Sequence, residues 1–206
     1  MRLNTFEKAL MNNPIRAALQ RHFEARILKK LGGTMRGGLA LEIGCGRGIG
    51  TCIIFEEFRA EHVHAFDIDP HMVQLARHTS CRRPHKQFLW VGDTLNIAVP
   101  SNTYDAVFDF GAIHHVVQWR DTIREVYRVL KPGGRFYAEE ILEKYIVHPL
   151  FRRLLDHPQQ DRFTRAQFSE ALVKNGFTVT ASGEFIELFA WFIADKPKTP
   201  EYKGRS

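Results

Sequence analysis

Cysteine is scarce in this 206-residue chain: three residues, Cys45, Cys52 and Cys81, with no CxxC pair and no even-numbered framework. That scarcity excludes a disulfide-stapled secreted scaffold and predicts a reducing, cytoplasmic setting. No charged n-region, apolar h-region and cleavage site open the sequence, so no secretory leader is expected. The longest apolar stretch near the end, "FIELFAWFIA" (185–194), is broken by Glu187 and reaches about half of the ~20 residues needed to cross a bilayer. A transmembrane segment is therefore not expected, while contact with a membrane surface stays open. The ten histidines form no HxxxH pair, so no metal is expected. Internal repeats and low-complexity segments are absent.

What is present describes one globular domain. Apolar residues make up 44% and charged residues 25% of the chain, far from the composition of disorder. A chain of about 150–200 residues buries roughly 70% of its unfolded surface, enough for a single core. The net charge of +6 is spread along the sequence except at "RHTSCRRPHK" (77–86), which Pro84 marks as a loop. Scattered charge reads as a solvated surface rather than as a nucleic-acid stripe. Nothing in the pattern sets an oligomeric state.

Ile15, Leu19, Phe23, Ile27 and Leu31 recur every four residues over 14–31, which predicts one amphipathic helix. Asn13 and Pro14 suit its start and Gly32-Gly33 its end, and a second short element precedes it at 4–11. From Leu39 the pattern changes to short apolar runs separated by helical segments. The runs are "LALEIG", "VHAFDI", "QFLWVGD" and "YDAVFDF", with helices over 48–59, 70–80 and 119–130. Strands alternating with helices predict a parallel sheet covered on both faces. Lys131 to Gly134 stop the last of these helices before "GRFYAEEIL". A helix from Thr164 to Lys174 follows, then "FTVTASGEF" and "ELFAWFIAD", joined so closely that they are antiparallel neighbours. Residues 142–163 read as an insertion beside the site, and 196–206 as a loose tail.

"LEIGCGRGIG" (41–50) places Gly44, Gly46, Gly48 and Gly50 at alternate positions after an apolar run. A nucleotide phosphate, a dinucleotide pyrophosphate or the amino-acid end of S-adenosylmethionine could occupy such a loop. A Walker loop needs a lysine to reach the terminal phosphates, and no lysine lies in 31–85. The dinucleotide fingerprint needs a glycine at position 49, which is isoleucine. Glu42 would repel a pyrophosphate but suits an ammonium or a sulfonium. Asp67 ends the second strand, where a buried carboxylate is costly unless something pairs with it. Asp69 and Pro70 follow as an N-cap and first helical residue.

These segments resemble the class I S-adenosylmethionine-dependent methyltransferases, in particular the ubiquinone/menaquinone-biosynthesis-type enzymes. The matching stretches are "LEIGCGRG", "AFDIDPHM", "VGDTLNIAVPSNTYDAVFDFGAIHHV" and "RVLKPGGRF", in order and at the right spacing over about 39–137. The resemblance implies an α/β fold with a Rossmann-like seven-stranded, mostly parallel sheet, its last strand antiparallel, helices on both faces and an N-terminal helical lid (1–31), all within one domain over 1–195. It also implies that Glu42, Gly44, Cys45 and Gly46 cradle the methionine portion and that Asp67 holds the ribose. Ile68 and Met72 would wall the adenine, Asp93 would accept from its amino group, the Thr94 backbone would meet a ring nitrogen, and the carbonyl near Phe110 would face the ammonium.

A sulfonium is an activated methyl donor, so the protein's share of the chemistry is alignment and exclusion of water. His114 and His115 follow the fourth strand at the carboxyl edge of the sheet, and histidine is suited to take a proton from an acceptor near neutral pH. They are the candidate catalytic residues. Trp119, Tyr145, His148, Phe151, Arg152, Arg153 and Phe163 are candidate contacts for the acceptor. The expected activity is methyl transfer to oxygen, nitrogen or carbon of an aromatic, quinone-like or lipid-like small molecule. Two alternatives stay open. A nucleic-acid methyltransferase is disfavoured by "DFGA" standing where exocyclic-amine enzymes carry Asn/Asp-Pro-Pro-Tyr/Phe/Trp, and a non-catalytic S-adenosylmethionine binder would keep the same donor loop.

Overall fold

The computed structural model describes residues 14–35, 37–79, 81, 84–146 and 161–198. Seven strands form one sheet: β1 (Leu39–Ile43), β2 (His62–Asp67), β3 (Gln87–Val91), β4 (Tyr104–Phe110), β5 (Leu130–Ile141), β6 (Thr178–Phe185) and β7 (Phe189–Asp195). Their order is β3-β2-β1-β4-β5-β7-β6, with β7 antiparallel to both neighbours. The order in which strands are added reverses between the parallel neighbours β1 and β4, and ligands of open α/β sheets bind at the carboxyl ends of the strands beside such a switch point. The central strands read as continuous apolar runs because both of their faces are covered. β4 is buried at six of its seven positions.

The helices are α1 (Pro14–Leu19), α2 (Ala25–Gly32), α3 (Ile49–Glu56), α4 (Pro70–His78), α5 (Trp119–Val129), a short α6 (Glu143–Ile146) and α7 (Arg165–Lys174). One hydrophobic cluster packs α5 and α7 on one side of the sheet around Trp119, Phe136, Phe168 and Phe192. A second packs α2 and α3 on the other around Leu28, Ile53, Phe58 and Tyr137. Asp69 caps α4 by accepting from His71 N at 3.0 Å. Thr164 and Gln167 form a reciprocal capping box at α7.

Three expectations need correction. The single helix over 14–31 is interrupted by a π turn at Gln20–Glu24, and its face differs from the expected stripe. A strict spacing of four advances about 40° per step around a 3.6-residue helix, so such a stripe leaves its face within a few turns. Leu19 and Phe23 are exposed, while Ala25, Leu28 and Gly32, spaced i, i+3, i+7, are buried. The expected stop at Lys131 to Gly134 lies inside β5. Leu130 already pairs with Tyr104, and the ladder resumes at Arg135 opposite Ala106 after a bulge. Finally, Lys196, read as the start of a loose tail, is anchored by hydrogen bonds to Asn102 Oδ1 and to the Tyr127 and Leu130 carbonyls. The element expected at 4–11 lies outside the described residues, as do 147–160 of the expected insertion.

Cys52 and Cys81 form a disulfide, which the reducing setting expected from three cysteines without a pairing framework did not include. Their spacing, 29 residues apart with a third cysteine upstream, carries no pairing signature.

Candidate active site

The glycine loop follows β1 because the chain must reverse sharply into α3 at the carboxyl edge. Gly48 takes the left-handed conformation (φ 87°) as the N-cap of α3, and a Cβ there would lie 3.1 Å from Ala76 of α4. Only glycine meets both demands. Gly50 is required for a different reason. A Cβ on it would lie 2.7 Å from Phe110 Cδ2 and closer still to Glu42 Oε1.

Around this loop lies a cleft of about 290 Å³, at the lower end of the ~300–1,000 Å³ usual for small-molecule sites. Glu42, Gly44, Cys45, Gly46, Asp67, Ile68, Met72, Asp93, Thr94 and Phe110 all line it. The ten residues singled out for donor contact are therefore brought together in one cavity. His115 also lines it, with Val116, Val117 and Gln118. Ala17 and Gln20 of the N-terminal helix complete the wall, Gln20 standing in the π turn, an irregularity that recurs at functional sites. Arg21 to Glu56 and Lys29 to Glu57 ion pairs tie that helix to α3 and the turn after it.

The cavity is acidic inside a basic chain. Glu42, Asp67, Asp69 and Asp93 face Arg47 and His115. Burial pushes the Glu42 carboxyl up to about 8, against the lowering effect of the Thr51 hydroxyl that donates to it, with Asp67 and Asp109 adding to the rise. Asp67 is raised by burial too, although its Oδ2 accepts from Gly46 N and its Oδ1 from Asp69 N, both at 2.9 Å. Asp67 thus fixes the shape of the glycine loop while each oxygen keeps a further lone pair for a hydroxyl of a ligand. In their ionised form these carboxylates stabilise a cation and repel a phosphate, and a bound cation draws a raised carboxyl back to that form. The open cradle and its donor set fit a cationic amino-acid nucleoside.

The two histidines have different surroundings. His114 is 1% exposed, and its Nδ1 lies 2.6 Å from Glu140 Oε2, itself fully buried on β5. Glu140 also accepts from Ile113 N at 2.8 Å and His114 N at 3.2 Å. Asp109 Oδ1 accepts from Ala112 N at 2.8 Å. Burial, then the neighbouring Glu140 charge, raises Asp109 well above its ordinary value. The two carboxyl groups cap the short 3₁₀ turn Ile113–His115, and the His115 ring rests 4.1 Å from that of His114 with its edge at the cavity. Arg162 closes the far side by donating to the His114 carbonyl.

The three expected acceptor contacts among the described residues lie elsewhere. Trp119 and Phe163 are buried in the core, their rings 4.8 Å apart, and Tyr145 packs on Phe189. Aromatic residues near a site in sequence pack wherever the core needs volume, which is why the sequence overassigned them. His148, Phe151, Arg152 and Arg153 lie outside the described residues. Sequence reasoning missed Asp109, Glu140 and Arg162; the acid pair in "AEE" on a central strand was the available signal, because buried carboxylates require partners. Among the described residues no group of three or more His, Cys, Asp or Glu side chains could hold a metal ion, and no helix is long and apolar enough to cross a membrane.

A sheet in the order 3-2-1-4-5-7-6 with β7 reversed, a glycine loop after β1 and an acid ending β2 define the Rossmann-like fold of the class I S-adenosylmethionine-dependent methyltransferases. Residues 41–138, just under half of the chain, match the family model described as a methyltransferase domain. Demethylmenaquinone methyltransferase of Symbiobacterium thermophilum is 33% identical over 103 residues, 48% of this chain and 41% of that protein. Fatty-acid O-methyltransferase of Mycolicibacterium smegmatis is 29% identical over 136 residues, 64% of this chain and 47% of that protein. The chain thus spans less than half the length of either relative. The structure of Haemonchus contortus phosphoethanolamine N-methyltransferase 2 in complex with S-adenosyl-L-methionine superposes with a TM-score of 0.71 at 19% identity, over 95% of this chain and 60% of that one.

Proposed function

We propose that this protein is an S-adenosylmethionine-dependent methyltransferase that moves a methyl group by direct in-line displacement onto a small-molecule acceptor. The observation that carries the reading is the single cavity that joins the glycine loop, the carboxylates of Glu42 and Asp67, and His115. When bound, the donor supplies a methyl carbon already activated by its sulfonium. The chain's own residues then bind, orient and exclude water. The Gly44–Gly48 backbone and Glu42 hold the amino-acid end, Asp67 accepts from the ribose hydroxyls, Met72 and Ile68 wall the adenine, and Asp93 with Thr94 meet its edge. The N-terminal helix forms a lid through Ala17 and Gln20.

His115 is the catalytic base for an acceptor that arrives protonated, because it lines the cavity while His114 is turned inward onto Glu140. Val116 and Val117 next to it give the acceptor side an apolar wall, which fits the lipophilic acceptors named for the two relatives. Scanning quinols, phenols and fatty acids with methyl-labelled donor tests the reading. It predicts labelled product from one of these classes, and a loss of ~10²-fold or more in rate for His115→Ala with donor affinity retained. Donor binding with no labelled product from any class would favour the non-catalytic binder instead.

A further inference from the structure

The Cys52–Cys81 disulfide links α3, whose Ile49 and Gly50 line the cavity, to the segment just after α4, whose Met72 lines it too. Cys52 sits on α3 two residues after Gly50 and directly after Thr51, whose hydroxyl donates to Glu42. Cys81 sits just past α4, the helix that carries Met72 into the cavity wall and that presses Ala76 against Gly48. Beside the disulfide, the Thr79 hydroxyl donates to the Arg47 carbonyl of the glycine loop. The bond therefore clamps the two helices that flank the loop, and it closes a ring containing β2, Asp67 and Asp69. Both cysteines are buried, Cys52 at 1% and Cys81 at 8% exposure, so the less buried Cys81 is the sulfur a reductant reaches first. The third cysteine, Cys45, is a buried free thiol in the loop itself, and burial pushes it far above the usual thiol range, which keeps it out of exchange.

We infer that the Cys52–Cys81 disulfide is a redox switch of donor binding: oxidised, it holds α4 against the glycine loop, and reduced, it releases the adenine side of the cavity. The inference rests on the donor-site reading above. The reductant is a dithiol. Its thiolate attacks Cys81 Sγ, the S–S bond breaks, and Cys52 leaves as a thiolate that takes up a proton. The second thiol of the reductant then displaces Cys81 and leaves as the cyclic disulfide. Two protein thiols form, and one dithiol is oxidised.

Linkage makes the proposal testable from both ends, because whatever the bond does for ligand affinity the ligand must do for the bond. Calorimetry with S-adenosylhomocysteine is run on the oxidised full chain and on the chain treated with dithiothreitol, with alkylation and mass spectrometry counting one free thiol before and three after. Affinity is expected to fall about tenfold on reduction, within the range usual for coupled sites, with far-ultraviolet circular dichroism unchanged. The dithiothreitol concentration needed for half-reduction should rise by the same factor in saturating S-adenosylhomocysteine. Cys81→Ser should bind as the reduced form does and ignore dithiothreitol. If that variant fails to fold, the reduced wild type still decides. Equal affinity in both redox states overturns the switch and leaves the donor site standing. No binding in either state overturns the donor site and the switch together.

Discussion

Glu140 Oε2 and His114 Nδ1 lie 2.6 Å apart with both side chains out of water. The same carboxylate accepts from two backbone amides of the turn that carries His115. A carboxyl group with three donors inside the core is a bracket: it fixes where the turn sits and hence where His115 points. Glu140→Ala leaves three buried donors without an acceptor and should cost ~3–5 kcal/mol, while Glu140→Gln, which keeps one acceptor oxygen, should cost ~1–3 kcal/mol. Urea denaturation checks both. Two variants within ~0.5 kcal/mol of wild type would remove the bracket from the account.

Gly50 and Gly183 offer a matched pair of substitutions. A Cβ at Gly50 meets Glu42 and Phe110, whereas one at Gly183 on β6 meets nothing within 4 Å. Gly50→Ala should therefore weaken S-adenosylhomocysteine binding by ~10²-fold or more, because the carboxylate must move and every contact aimed by the loop moves with it. Gly183→Ala should change stability by no more than ~0.5 kcal/mol and leave binding alone. Calorimetry on both variants separates a local steric effect from general damage.

Much of this was legible in the chain. β4 has the bounds that its apolar run suggested, and α4 starts on the expected Asp69-Pro70 pair. The alternating glycines and the acid at Asp67 identified one corner of the sheet because local backbone demands and buried charge leave marks on sequence. The N-terminal helix was harder. Its four-residue stripe suggested one face, but the packing face is chosen by β5 and β7, against which Ala25, Leu28 and Gly32 fit. The Asp109–Glu140–His114 cluster and the Cys52–Cys81 bond were illegible for the same reason. Each joins residues 26 or more positions apart, and only the fold makes them neighbours.

The raised value of Glu42 sets a pH dependence. A cationic ligand favours the ionised carboxylate, so at pH values below about 8 binding must expel a proton. Donor affinity should rise as pH increases from 6 to 8, by at most ~10-fold per unit, and level off above. Glu42→Gln should bind more weakly at pH 8 and lose the rise. In the free protein the sign is reversed. The folded chain holds a proton that the unfolded chain, with an ordinary value of 4.5, has released, so the Glu42 contribution to stability falls as pH rises from 4.5 toward 8. Calorimetric titrations across this range, in buffers of different ionisation enthalpy, count the proton directly. A wild-type affinity that is flat with pH would contradict the assignment of Glu42 to the ligand.

The central claim is that this acidic, glycine-walled cavity accepts a cationic amino-acid nucleoside and refuses phosphorylated ones. Calorimetry on wild type and Asp67→Asn, with S-adenosylmethionine, S-adenosylhomocysteine, NADH and ATP as titrants, tests it most directly. Wild type should bind the first two and neither of the others, and Asp67→Asn should lose ~10-fold or more, because an amide cannot accept from Gly46, Asp69 and a ribose at once. Tight uptake of NADH or ATP by a protein that ignores the sulfonium compound and its demethylated product would contradict the account.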